Sequence, residues 1–237
     1  MNISRFEGVD WRSIIKKYQP DAWRSIWQIV NTVVPYIALW AIMFWSVGVS
    51  YWLTLLLSIP TAGFMVRTFI IFHDCGHGSF FKSKHANLIV GIITGILTYT
   101  PWQLWWHEHN VHHANAGNLD KRGIGDVDTW TVEEYLAAPF WKKVWYRIMR
   151  HPLVMFTIGA MTVFAIVKRI PLPSHGKKER ASIWWTNLAL LLIVSGLIWL
   201  VGWKTYLLVQ LPVLLFGTSA GVWMFYVQHN YEGVYWE

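Results

Sequence analysis

Two histidine clusters carry the chemistry that can be read from this chain: His73-Asp74-Cys75-Gly76-His77 and His109-Asn110-Val111-His112-His113. On a helix, residues three and four apart share a face. His73 and His77 can therefore point one way, and so can His109, His112 and His113. Five imidazoles converging near one membrane surface would form a metal site. Neutral imidazole suits iron, zinc, copper and nickel, so ligand type alone does not choose the metal. Asp74 and Glu108 adjoin ligand positions, where a carboxylate can orient an imidazole through its other nitrogen. Solvation or helix capping is the ordinary alternative for both. His107 precedes His109 by two residues and points away from it on a helix, which suits a supporting or structural role. Gly76 and Gly78 would let another helix or a ligand come close.

The elements that position these residues are apolar. Of the 237 residues, 54% are hydrophobic and 14% charged, against roughly 25% charged in soluble domains. Tryptophan occurs 18 times, and mean hydropathy is +0.33. The composition indicates an integral membrane protein, and the length suits a single domain over residues 1–237. A net charge of +7 could suggest nucleic acid, but the basic residues flank apolar runs, as loops facing anionic lipid do. Cys75 is the only cysteine, so no internal disulfide forms. No cleavable signal peptide is expected, because Arg5, Glu7 and Asp10 precede an apolar run that begins only near Ile29.

Four long apolar runs occur, at about 29–49, 52–72, 183–202 and 205–227. Tight turns are expected at Gly48-Val49-Ser50 and Gly202-Trp203-Lys204. At about 1.5 Å per residue, each run covers a hydrocarbon core of about 30 Å. The stretch Leu88–Leu97 is shorter, and Thr94, Thr98, Thr100, Pro101 and Gln103 interrupt its continuation. A re-entrant or interfacial segment there would return His109 to the side of His77. Leu153–Val167 would span only about 22 Å as a helix and is read the same way. With four crossings, all Lys and Arg except Arg67 and Lys204 fall at one side or in the segments leading to it. The positive-inside rule makes that side cytoplasmic. The fold expected is all-α: four transmembrane helices, re-entrant or interfacial helices, and a cytoplasmic cap bearing the histidine boxes.

Other features have local readings. Arg67 lies six residues before His73 and can snorkel to headgroups. Trp11, Ile14, Ile15 and Tyr18, with Arg12, Lys16 and Lys17, suggest a basic amphipathic surface helix that continues through Trp23, Ile26 and Trp27 after a break at Pro20. Thr131 and Glu134 read as a capping box. The Trp- and Thr-rich region 94–106 is expected to anchor at the interface, with lining of an acyl tunnel as the alternative. His85, His151 and His175 read as loop residues. His229 follows the last run, on the same side as the clusters.

These boxes resemble those of the membrane fatty acid desaturases, which carry His-x-x-x-His, then His-x-x-His-His, then a third His-x-x-His-His. Asp126-Val127-Asp128-Thr129-Trp130-Thr131 and the ending Gln228-His229-Asn230-Tyr231-Glu232 are most similar to acyl-lipid members of the Δ12/ω-6 type. The resemblance implies a four-span fold and O2-dependent desaturation of a fatty acyl lipid. It implies two non-heme irons, with electrons from ferredoxin or cytochrome b5. It also implies iron ligation by His73, His77, His109, His112 and His113, with His229 as a further ligand after the last span. The sequence stops at Trp236-Glu237, short of the third box. It is therefore expected to be truncated there and to hold an incomplete diiron site alone. No heme-binding His-Pro-Gly-Gly occurs, so a separate electron donor is expected. A membrane hydroxylase or ketolase acting on hydrocarbons, sterols or carotenoids is the nearest alternative. An inactive fragment is another. A histidine-rich metal transporter or sensor would place ionisable groups midway through its spans, whereas these histidines cluster at one end.

Overall fold

The computed structural model describes residues 10, 13–14, 18–125 and 127–229. No strand occurs among them. Four helices are long and apolar enough to cross a membrane: α1 (Ala22–Ser46), α2 (Tyr51–Gly76), α8 (Lys177–Val201) and α9 (Trp203–His229). They have 25, 26, 25 and 27 residues, so each exceeds the length a bilayer core of about 30 Å requires. The first helix begins earlier than its apolar run. Asp21 caps it, its carboxylate accepting from the Arg24 N–H at 2.8 Å. Trp23, Ile26 and Trp27 are thus the exposed first turns of α1 and not part of a separate surface helix. Trp11, Arg12, Ile15, Lys16 and Lys17 lie outside the described residues.

The bundle core joins α1, α2 and α9 through Tyr36, Met43, Met65, Val209, Val213 and Leu214. Small hydroxyl residues tie the helices where water is absent. Ser46 and Thr54 share a 2.8 Å hydrogen bond between α1 and α2. Pro35, Pro60 and Pro212 interrupt three of the spans. Around Pro60, Ser58 and Thr61 donate to the carbonyls of Leu55 and Leu57. The turn between α8 and α9 is Gly202 alone, at φ 80°, where a left-handed backbone favours glycine. Arg67 sits on the outer surface and donates to Asn31 on α1 at 3.0 Å.

Two bent helix pairs complete the fold. α3 (Lys84–Leu97) and α4 (Trp102–Asn115) meet at 102° across Thr98–Pro101. The pair returns the chain to the end of α2, where the Nε2 atoms of His109 and His77 lie 3.0 Å apart. Its region 94–106 is mostly packed core, contrary to the expected interface anchoring. Trp102 is buried against Phe72 at 5.5 Å, and Thr94 and Thr98 donate to their own helix carbonyls. Only Trp106 is exposed. After α5 (Val132–Ala137), with the expected capping box, α6 (Phe140–Arg150) bends by 71° into the segment Val154–Arg169. That segment opens with a π-helical turn, Val154–Gly159, and continues as α7 (Ala160–Ala165).

Close approach within the re-entrant pair depends on glycine. A Cβ on Gly91 would stand 1.9 Å from the Trp102 ring. We predict that Gly91→Ala costs about 1–3 kcal/mol through overpacking, seen as a lower thermal unfolding midpoint in detergent. Gly63→Ala in α2, with nothing within 4 Å of the new methyl, should hold or raise the midpoint, since alanine favours helix by up to about 1 kcal/mol.

Candidate metal centre

The end of α2 and the second half of α4 bring four histidines together. His73, His77, His109 and His113 each offer one ring nitrogen, all within 4.8 Å of one another. Their Nε2 atoms form a chain: His73 to His77 at 3.2 Å, His77 to His109 at 3.0 Å, His109 to His113 at 3.1 Å. A metal–nitrogen bond of about 2.1 Å puts neighbouring ligand nitrogens about 3.0 Å apart at right angles and about 3.4 Å apart in a tetrahedron. The observed spacings match adjacent ligands on one ion.

His112 departs from the expected grouping. It is buried and turns away from His109 and His113 towards α9, where its Nε2 lies 2.8 Å from Nε2 of His229. The site thus has two parts, a quartet and a pair. They are linked through α4, with the His112 and His113 rings 5.6 Å apart.

Hydrogen bonds set the tautomers in both parts. The Nδ1 of His229 is 2.8 Å from the Phe225 carbonyl, which can only accept, so Nδ1 carries the proton and Nε2 is bare. The Nδ1 of His73 faces the Asp74 carboxylate at 3.2 Å, so its Nδ1 carries a proton as well. Burial, reinforced by the neighbouring imidazoles, pushes the His109 pKa down to about 3. Burial and nearby histidines also lower His77 and His113. These rings stay neutral at physiological pH, the state a metal requires.

An aromatic floor separates the quartet from the spans. Trp105 stacks on His109 at 4.2 Å and packs against Phe72 at 4.7 Å and Phe69 at 5.9 Å. Phe225 lies 4.3 Å from His229 and 5.4 Å from His112. Gly76 admits this packing, because a Cβ there would meet Trp105 at 2.6 Å. Gly78 has a different reason. Nothing lies within 4 Å of its Cβ position, and its φ of 67° makes the turn after α2. On the opposite side, the loop after α4 brings Gly125 against the Glu108 carbonyl and His112, each 3.1 Å from its Cβ position.

The remaining candidates divide. Asp74 orients a histidine. Glu108 instead pairs with Lys168. His107 is exposed outside the quartet. His151 and His175 accept from the local N–H groups of Leu153 and Leu172. Asp126 and residues 230–232 lie outside the described residues. The aromatic floor was not anticipated, although a signal for it exists. Phe69, Trp105 and Phe225 each stand four residues before a clustered histidine, one turn deeper on the same face.

Residues 50–237 match the family described as fatty acid desaturase. The chain is 46% identical over 219 residues to a fatty acid desaturase of Bacillus subtilis, covering 92% of this chain and 62% of that protein. It is similar to an sn-1 oleoyl-lipid 12-desaturase of Synechocystis, at 29% identity over 60% of this chain and 38% of the relative. A ferredoxin-dependent sn-1 acyl-lipid omega-3 desaturase of Synechocystis is 36% identical over 38% of this chain and 24% of the relative. The chain therefore spans less than two thirds of the length of these relatives. No solved structure matches it. The chain belongs to the fatty acid desaturase family.

Asp74→Ala removes the acceptor that fixes the His73 tautomer. We expect it to weaken Fe(II) or Co(II) uptake by about 10–100-fold, measured by equilibrium dialysis and elemental analysis. Glu108→Gln, whose carboxylate faces Lys168, should leave uptake unchanged. Equal uptake by both variants and the parent would exclude Asp74 from the site.

Proposed function

We propose that this desaturase-family protein introduces a double bond into a fatty acyl chain with O2 at a histidine-held iron centre. The observation that carries this reading is the convergence of histidine Nε2 atoms from α2, α4 and α9 at one end of the bundle. His73, His77, His109 and His113 would hold one iron. His112 and His229 would supply ligands to a second. When bound, the irons would supply the oxidising chemistry that an unactivated methylene requires and acid–base side chains cannot provide.

The protein's own residues hold and shield. Asp74 and the Phe225 carbonyl keep two imidazoles in the ligating tautomer. Trp105, Phe69 and Phe72 keep water from rising between the centre and the spans, and Trp105 fixes the plane of the His109 ring. An acyl chain would arrive from the lipid side, so the reacting carbons are brought to the metals and the metals need not enter hydrocarbon.

The basic residues gathered at the histidine end support a cytoplasmic orientation. They also support docking of a separate, acidic electron donor such as ferredoxin. Cytochrome b5 is the alternative donor. The relatives include both 12- and omega-3 desaturases, and the Asp126–Thr131 and Gln228–Glu232 motifs are most similar to the Δ12/ω-6 type.

His112→Ala should abolish iron loading and lipid unsaturation together, in a host without other desaturases. Lipid mass spectrometry distinguishes the products: a loss of two mass units marks a double bond, and a gain of oxygen would transfer the reading to a hydroxylase. Normal unsaturation in the variant would exclude His112 as a ligand.

A further inference from the structure

Helix α6 is turned inside out by the standards of a water-soluble protein. Its sequence, Phe-Trp-Lys-Lys-Val-Trp-Tyr-Arg-Ile-Met-Arg, separates cleanly at helical spacing. Phe140, Trp141, Val144, Trp145 and Ile148 share one side, and they are the exposed ones, at 81, 65, 39, 62 and 47%. On the other side Lys143, Tyr146 and Arg150 are half-buried against the protein, and Lys142 and Arg147 are exposed. Lys143 and Arg147 lie over the Tyr135 ring at 5.8 and 5.6 Å. Arg150 lies over Tyr226 at 5.6 Å. Tyr146 stacks on Trp130 at 4.6 Å, and its hydroxyl accepts from the Trp130 N–H.

Depth and charge identify what covers the apolar side. Tyr226 stands three residues before His229, at the histidine end of α9, so the last turn of α6 lies level with that end of the bundle. The apolar band continues into Leu153 and Ile158, which are 70 and 66% exposed. The helix carries Lys142, Lys143, Arg147 and Arg150 and no acidic residue.

We propose that α6 lies in the headgroup region of an anionic leaflet at the histidine end, with Phe140, Trp141 and Trp145 in the acyl boundary, and that it anchors the loop roofing the metal centre. Tryptophan rings favour that depth, and the exposed Lys142 and Arg147 draw the helix to anionic lipid. The anchor reaches the site through the Tyr146–Trp130 stack. Trp130 is held by Asp128 at 2.9 Å, and the same loop carries Gly125 against His112 and Glu108. The placement does not depend on which metal the histidines hold.

The test uses single copies of the chain in nanodiscs and a water-soluble maleimide. Native Cys75 is buried, so the unsubstituted protein gives the background. Trp145→Cys and Trp141→Cys are made separately and compared with Glu133→Cys on exposed α5, each variant checked for parental helicity. In discs containing phosphatidylglycerol, both tryptophan-site thiols should react about tenfold more slowly than the Glu133→Cys thiol. In phosphatidylcholine alone the protection should shrink by about fivefold, near the effect of one cation at a charged surface. Equal rates at the three positions would place the face in water and overturn the proposal. Protection insensitive to lipid charge would overturn the anionic leaflet. Protection found only with two copies per disc would assign the face to a second chain.

Discussion

Four imidazoles with Nε2 atoms 3.0–3.2 Å apart in series form an arrangement that the rings alone do not favour. Where both nitrogens of a contact are bare, lone pair faces lone pair. Protons would relieve this, but burial and mutual repulsion hold the His109 pKa down to about 3. A cation among the nitrogens relieves it for every ring at once. The fold must therefore hold the rings in place against their own repulsion. It does so with packed aromatics beneath, Asp74 beside, and helix ends that project from a rigid bundle.

The chain also has to bring α4 back to the end from which α3 departed, within an apolar medium. A reversal there is tolerated only if every backbone polar group finds a partner in the protein. At Thr98–Pro101 the three N–H groups and the carbonyls of Thr98, Tyr99 and Pro101 do. Thr98, Tyr99 and Thr100 donate to the carbonyls of Thr94, Ile96 and Gly95. Gln103 donates to the Ser182 hydroxyl on α8 at 3.1 Å. The carbonyl of Tyr99, a non-glycine residue at φ 59°, accepts from Arg169. Arg169 comes from the other bent segment, and Asn187 on α8 donates to its carbonyl at 2.9 Å. The two interrupted segments thus support each other, which explains why neither sequence is apolar throughout.

Much of this was legible in the sequence, because bilayer thickness and helical periodicity leave few choices. Both histidine clusters, the four spans and the return of α4 follow from run length and the need to reunite His77 with His109. The start of α1 was missed because Arg24, Ser25 and Gln28 lower the hydropathy of a stretch whose boundary is set by the cap at Asp21. Trp102 was misjudged because tryptophan serves interface and core alike. Its role is fixed by Gly91 eleven residues away, whose missing side chain makes room for the ring. Glu108 looked like a partner for the adjacent histidine, and only the tertiary fold reveals Lys168.

The split of the second cluster follows from helical phase. Successive residues turn by about 100°, so His113 returns to within about 40° of His109, while His112 stands about 100° from His113. A His-x-x-His-His run therefore presents two directions, one shared by His109 and His113 and the other by His112. Here the first meets α2 and the second meets α9. α2 contributes to the quartet alone, and α9 to the pair alone. The separation of the two groups is therefore set by the pitch of α4, the stiffest available ruler, and not by any loop. That also accounts for the heavy packing around α4: Gly76, Gly91 and Trp105 fix where the helix lies, and through it the distance between both halves of the site.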